Sequence, residues 1–269
     1  MNYTKQKIII NSDGKNLSLI VLNPKDNKKI HTGVLWIHGG GFITGMAGMY
    51  HITRAIDLVV KCGAVVVTPE YRLAGTAPYP AALHDCHNAL VWMSKHTNEL
   101  KIRENQIMVG GESAGGGLTA SLCMYELDND GVKIAYQMPL YPMLDCFDTV
   151  SSRNNNAPVW NTKRNHYGWS KYLGNIDRSC VPCYASAARR KDYSSLPPAY
   201  TFVCDAEPFY AETVTYIENL QKAGVHASLD IYPGLFHAFD IMLPFHRTSR
   251  IAAKKFLSEF MYASEHYFT

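Results

Sequence analysis

Four groups of residues could carry covalent chemistry if a fold brought them together. Ser113 sits in Gly111-Glu112-Ser113-Ala114-Gly115, a G-x-S-x-G pattern. Gly39-Gly40-Gly41-Phe42 follows His38, Asp205-Ala206-Glu207-Pro208 follows the apolar run AYTFVC (199–204), and His237 follows Pro233-Gly234-Leu235-Phe236. A serine hydroxyl is a poor nucleophile near neutral pH, so a base within hydrogen-bond reach must take its proton as it attacks. Imidazole titrates near that pH and can serve as the base. A carboxylate on its other nitrogen would fix the tautomer and stabilise the imidazolium. The attacked carbonyl becomes an oxyanion, and losing one donor aimed at it typically costs about 3 kcal/mol. Glycines 39–41 let the backbone approach closely and present bare N–H groups. The N–H of Ala114, opening a helical run, would add a donor and a favourable dipole end.

The glycines around Ser113 also admit another machine. Gly115-Gly116-Gly117-Leu118-Thr119-Ala120 fits the permissive G-x-G-x-x-A form of a dinucleotide loop, which cradles phosphate at a helix N-terminus. That loop needs its first glycine directly after a strand and an acid closing a second strand about 20 residues on. Gly115 lies several residues past Val109, the end of the apolar run QIMV, and Asp128 and Asp130 close a helical pattern instead. Register therefore favours the nucleophile. The turn that meets the strand is Gly111 to Gly115 with Ser113 at its apex, and Gly115 to Gly117 let the next helix pack close. No cofactor is expected.

Other candidates carry less. His84 and His87 share a helix turn, but no third ligand completes a metal site. Cys180-Val-Pro-Cys183 has C-x-x-C spacing without a second pair, which reads as coincidence, so no metal is expected. Seven cysteines without repeating spacing suit reduced thiols in a cytosol.

The groups must be positioned by an ordered set of elements. Apolar, β-branched runs occur at 7–10, 17–22, 33–38, 64–68, 106–109, 134–140, 199–204 and 227–232. The first two, joined by Asn11-Ser12-Asp13-Gly14, read as a hairpin with an Asp-Gly turn. Helical patterns follow at about 50–62, 80–96, 114–127, 209–223 and 247–263, with Gly224 placed as a left-handed cap. Strand–helix alternation predicts an α/β fold: a mostly parallel, eight-stranded sheet with helices on both faces. In such sheets sites form at the carboxyl ends of strands. The serine, carboxylate, histidine and glycine groups each follow a predicted strand, so they share one rim. Residues 146–190 show no strand and contain Trp160, Tyr167, Trp169 and Tyr172. A long insertion of this kind is expected to be functional or a lid. Its aromatics could form an acyl-binding wall or fasten the insertion down. Residues 1–269 thus read as one domain with a cap insertion.

Composition excludes several classes. The chain has 269 residues and a net charge of +3, and nearly half its residues are hydrophobic, ample for a large core. Lys28-Lys29 and Arg189-Arg190-Lys191 are short and read as solvated faces, not nucleic-acid patches. No run reaches the roughly 18 apolar residues of a membrane span, and the N-terminus lacks a signal-peptide core. A cytoplasmic protein without nucleic-acid or membrane partners is expected.

Serine, then acid, then histidine is the chain order of α/β-hydrolases. His38-Gly39-Gly40-Gly41-Phe42, Glu70-Tyr71-Arg72-Leu73-Ala74, Gly111-Glu112-Ser113-Ala114-Gly115-Gly116 and Phe236-His237-Ala238-Phe239 resemble the hormone-sensitive-lipase-like family. Its bacterial carboxylesterase and acetyl-esterase branch is meant, and the resemblance runs from about residue 30 to the C-terminus. It implies an α/β-hydrolase fold and a serine carboxylesterase acting on small uncharged esters, with Ser113 and His237 in the triad. It also implies oxyanion donors at Gly40, Gly41 and Ala114, and His38 as a brace for that loop. A sugar deacetylase, an arylformamidase or a non-catalytic ligand-binding relative would share the scaffold; the presence of His237 argues against the last. The family reads Asp before its nucleophile, so Glu112 is a departure, expected to be structural. It reads Asp-Pro where this chain has Glu207-Pro208, so the acid is Glu207 by register or Asp205 by nearness to the strand end. The family's N-terminal helical roof is not expected here, since a strand begins by Lys7. That leaves an open site, which a second copy in a homodimer would complete.

Overall fold

A computed structural model of the chain describes residues 3–26 and 29–269; Lys28 of the Lys28-Lys29 run lies outside the described residues. Asp13 and Gly14 take φ of 50° and 75°. Two successive positive φ angles match the twist of a two-residue hairpin. They close the expected pairing of β1 (Tyr3–Ser12) with β2 (Lys15–Pro24). The remaining strands are β3 (His31–Ile37), β4 (Val65–Pro69), β5 (Ile102–Glu112), β6 (Tyr136–Leu140), β7 (Ala199–Cys204) and β8 (Ala227–Tyr232). They form one eight-stranded sheet in the order β1-β2-β4-β3-β5-β6-β7-β8. β2 is antiparallel to β1 and β4, and every other pairing is parallel.

Side chains alternate across this sheet and feed two cores. Leu35, Ile37, Val65, Val67 and Val109 face one cluster, with Leu90 and Met93 of α2 (Ala81–Lys95), Leu118 and Leu122 of α4 (Ala114–Asp128), and Leu220 of α6 (Tyr210–Lys222). Val34, Trp36, Val66 and Met108 face the other, with Leu58 and Val59 of α1 (Arg54–Cys62) and Phe256 and Phe260 of α8 (Arg247–His266). Helices therefore cover both faces, and every central strand is buried on both sides, as a parallel sheet requires. Gly224, with φ 80°, turns the chain just past α6. Among the described residues no helix is long and apolar enough to cross a membrane.

Between β6 and β7 the chain runs without a strand, as expected for 146–190. Its main element is α5 (Thr162–Leu173), started by Asn161, whose side chain accepts from the Arg164 N–H. Two short helices complete the set, α3 (Thr97–Leu100) before β5 and α7 (Phe239–Met242) after β8.

Candidate active site

β5 ends at Glu112 and α4 begins at Ala114, which leaves Ser113 alone at the turn with φ 58° and ψ −119°. This backbone is uncommon for a non-glycine residue and costs about 1–3 kcal/mol, so surrounding bonds must hold it. Ser113 N–H donates to Leu140 O at 3.0 Å, and Ser113 O accepts from Gly117 N at 2.9 Å and Met143 N at 3.0 Å. The flanking glycines are required by space. A Cβ on Gly115 would lie 2.1 Å from Ile37 O, and one on Gly117 2.2 Å from Met143 O. Gly115 to Gly117 are thus close-packing positions inside α4.

The loop after β8 brings His237 to this turn. Its Nε2 lies 2.8 Å from Ser113 Oγ, and its Nδ1 bonds Glu207 Oε2. The other Glu207 oxygen accepts from Cys204 N–H at 3.0 Å, and the whole residue is buried. A carboxylate on Nδ1 leaves Nε2 free to take a hydroxyl proton. Tyr141 and Phe209 meet the imidazole edge-on, with centroids 5.1 and 4.9 Å away. Asp205 is not at the imidazole. It is exposed, and Oδ1 accepts from Gly234 N–H at 2.7 Å, which shapes the loop carrying His237.

The glycine loop after β3 packs on the same turn, since a Cβ on Gly39 would meet Glu112 O at 2.9 Å. Gly40 and Gly41 take φ of 119° and 60°. Both border a cavity of about 850 Å³ that they share with Ser113 and His237. Ala114 is the first residue of α4, where an N–H has no acceptor within its helix. His38 stands behind this loop. Its Nδ1–H donates to Gly39 O at 2.8 Å, its ring stacks on Tyr71 at 4.1 Å, and Tyr71 OH donates to His38 O at 2.9 Å. Burial pushes the His38 pKa down to about 4, so the ring is neutral and acts as a brace. The rest of the Glu70–Ala74 run is structural as well. Glu70 accepts from Ala47 N–H at 2.9 Å, and Arg72 grips the buried Asp85 through Nε at 2.9 Å and Nη2 at 2.8 Å.

Ile43, Met49, Val159, Trp160, Ile241 and Met242 make the cavity walls largely apolar, and Tyr167, Lys163 and Arg164 of α5 stand at it too. The two tryptophans of the insertion divide. Trp160 covers the glycine loop so closely that a Cβ on Gly41 would lie 2.0 Å from its ring. Trp169 is buried 5.4 Å from the Phe42 ring and fastens α5 to the body. His84 and His87 go to separate carboxylates, Asp13 at 3.1 Å and Glu126 at 2.5 Å. Among the described residues no group of three or more His, Cys, Asp or Glu could hold a metal, and Cys180 and Cys183 are free thiols.

Residues with no signature in the sequence complete the surroundings. Tyr141 OH donates to Asp240 Oδ1 at 3.0 Å, and Arg54 Nε lies 3.3 Å from Asp240 Oδ2. Asp240 lies only three residues past His237, yet a lone aspartate after a loop carries no pattern that marks it as buried.

Comparison with known proteins agrees with this fold. The model of a family described as alpha/beta hydrolase fold matches residues 34–241. Esterase LipI of Mycobacterium tuberculosis is 32% identical over 77% of this chain and 65% of its own length. Carboxylesterase NlhH of the same species is 30% identical over 77% of this chain and 66% of its own. The chain thus spans just under two thirds of these relatives. A solved bacterial heroin esterase superposes with a TM-score of 0.93 at 29% identity, covering 98% of this chain and 85% of its own.

Proposed function

This chain belongs to the α/β-hydrolase fold family, and from that premise we propose that it is a serine carboxylesterase for small, uncharged, short-acyl esters. The observation that carries the reading is the buried relay from Ser113 Oγ through His237 to Glu207, opening into an apolar cavity beside Gly40 and Gly41. Ser113 Oγ attacks the ester carbonyl carbon while His237 Nε2 takes the hydroxyl proton. The N–H groups of Gly40, Gly41 and Ala114 receive the oxyanion, as donors already aimed at the charge that develops. Collapse breaks the bond to the alcohol oxygen, and His237 returns the proton to it. Water, deprotonated by His237, then attacks the acyl-serine, releasing the acid and restoring the hydroxyl. Glu207 holds the Nδ1–H tautomer throughout and faces the imidazolium in both steps. Segment 146–190 acts as the cap of the domain, with Trp160 and Tyr167 as its inner wall.

That the relatives are an esterase and a carboxylesterase supports the ester class. The apolar walls favour alkyl and aryl groups over acetylated sugars, which would need several polar partners. The test is Ser113→Ala. Hydrolysis of p-nitrophenyl acetate should fall to the buffer rate while the circular dichroism spectrum is retained; a rate equal to wild type refutes the reading. Parallel rates on acyl chains of increasing length, acetylated xylose and N-formylkynurenine identify the substrate class.

A further inference from the structure

Glu112 lies one residue from the nucleophile and is buried. Its Oε1 accepts from the Trp36 indole N–H at 2.9 Å, while Oε2 is buried without a hydrogen-bond partner. Trp36 stands two residues before His38 on β3, the strand that leads into the glycine loop, and pairs in register with Gly110. The missing side chain at Gly110 makes room for the indole, which a Cβ there would meet at 2.6 Å. Beside the β3–β5 ladder, which runs to Ile37–Gly111, this bond adds a side-chain tie between the strand that presents Ser113 and the strand that presents Gly40 and Gly41.

A carboxylate is acceptor-only and asks for donors on both oxygens, whereas the firm bond here is the neutral Trp36 indole N–H, with Thr53 and the residue's own N–H as lesser donors. The groups facing it come from five directions. They are Trp36 from β3, Thr53 at the start of α1, Tyr71 after β4, Tyr141 after β6, and Asp240 in α7, with Arg54 behind Asp240. Arg54 is already divided between Asp57 at 2.8 Å and Asp240 at 3.3 Å. Burial first, and then the Asp240 charge, push the Glu112 carboxyl up to about 8. Asp240, held by Tyr141 and Arg54, anchors the helix immediately after His237-Ala238.

Building on the serine-hydrolase reading, we propose that Glu112 is a positioning residue that works as a neutral carboxylic acid, tying the nucleophile turn to the glycine-loop strand. In its uncharged form it leaves Arg54 and Tyr141 to Asp240. Ionised, it repels Asp240, which displaces the loop that presents His237. The site loses activity on that ionisation.

The test uses the whole chain and the pH profile of kcat/KM on p-nitrophenyl acetate. In the wild type the profile should turn down near pH 8, and a single ionisation gives a fall of about tenfold per pH unit above it. Glu112→Leu, lacking the bond to Trp36, should lower kcat about a hundredfold with little change in KM, as loss of alignment rather than of binding does. Glu112→Gln, neutral and still an acceptor for the indole, should recover most of that kcat and carry the downturn to higher pH. A Gln variant no better than Leu, or one with the wild-type downturn, overturns the proposal. A wild-type measurement covers variants that fail to fold. The Trp36 indole N–H resonance in tryptophan-¹⁵N-labelled protein should titrate with a midpoint near pH 8, and its failure to move between pH 6 and 9.5 also overturns the proposal. Activity retained by Ser113→Ala would instead refute the underlying reading and leave the indole titration standing.

Discussion

Replacing Glu207 by glutamine keeps the shape of the side chain and reverses its hydrogen-bonding logic. In the native site Oε2 accepts from His237 Nδ1, and Oε1 accepts from Cys204 N–H at 3.0 Å. The backbone N–H can only donate, so the introduced amide must give it the oxygen and turn its NH₂ toward the imidazole. Nδ1 then becomes an acceptor, and the proton moves to Nε2. A protonated Nε2 cannot take the proton of Ser113 Oγ, 2.8 Å away. The same tautomer error in a serine protease lowers kcat by about 10⁴, equal to about 5.4 kcal/mol at 1.36 kcal/mol per tenfold. Asp205 offers the control. Its carboxylate holds only the Gly234 N–H at 2.7 Å on the surface, a bond worth about 1–3 kcal/mol of local loop order. Asp205→Asn keeps an acceptor oxygen for that N–H, so kcat should change less than about tenfold. The assay is burst and steady-state kinetics on p-nitrophenyl acetate at pH 7, with folding followed by urea denaturation. The assignment is refuted if Asp205→Asn costs more than Glu207→Gln, or if Glu207→Gln retains a tenth of wild-type kcat while folded.

Two further expectations follow from single contacts. Trp160→Ala removes the ring that covers Gly41, and the widened cavity should raise the ratio of kcat/KM for octanoate over acetate esters by at least about tenfold; an unchanged ratio means that Trp160 does not bound the acyl group. His38 is held neutral, with its pKa pushed down from 6.5 to about 4 by burial, so the unfolded chain binds its proton first as pH falls. The stability it confers is complete above pH 6.5 and is lost as pH falls toward 4, by up to ~3 kcal/mol. His38→Asn should flatten that part of the plot of unfolding free energy against pH, and an equally steep plot contradicts the assignment.

The fold was legible because most of its elements repeat one local rule, a β-branched run followed by a helical pattern. The Asp13-Gly14 turn and the Gly224 cap were legible because few residues adopt positive φ at low cost. Ser113 could be placed from register, since the Gly111–Gly115 turn after QIMV puts it at the apex, although the strand itself runs on to Glu112. The Glu-Pro register favours Glu207 as the carboxyl beside His237 but does not separate it from Asp205, two positions away at the same strand end. Only the path of the chain after Cys204 decides which carboxyl turns inward. Tyr141, Arg54 and Asp240 stayed invisible for a related reason. They come from three distant stretches, and a buried ion pair has no sequence period. Trp160 and Trp169 look alike in the sequence, yet one sits on the coil before α5 and borders the cavity, while the other sits within that helix and faces the core.

The proposed chemistry depends throughout on Ser113 being the activated nucleophile. Incubating the wild-type chain with a fluorophosphonate and mapping the adduct by peptide mass spectrometry tests that assignment at the atom concerned. One adduct is expected, on Ser113, formed much more slowly in His237→Ala. No adduct, or an adduct on another residue with Ser113 unmodified, would contradict it.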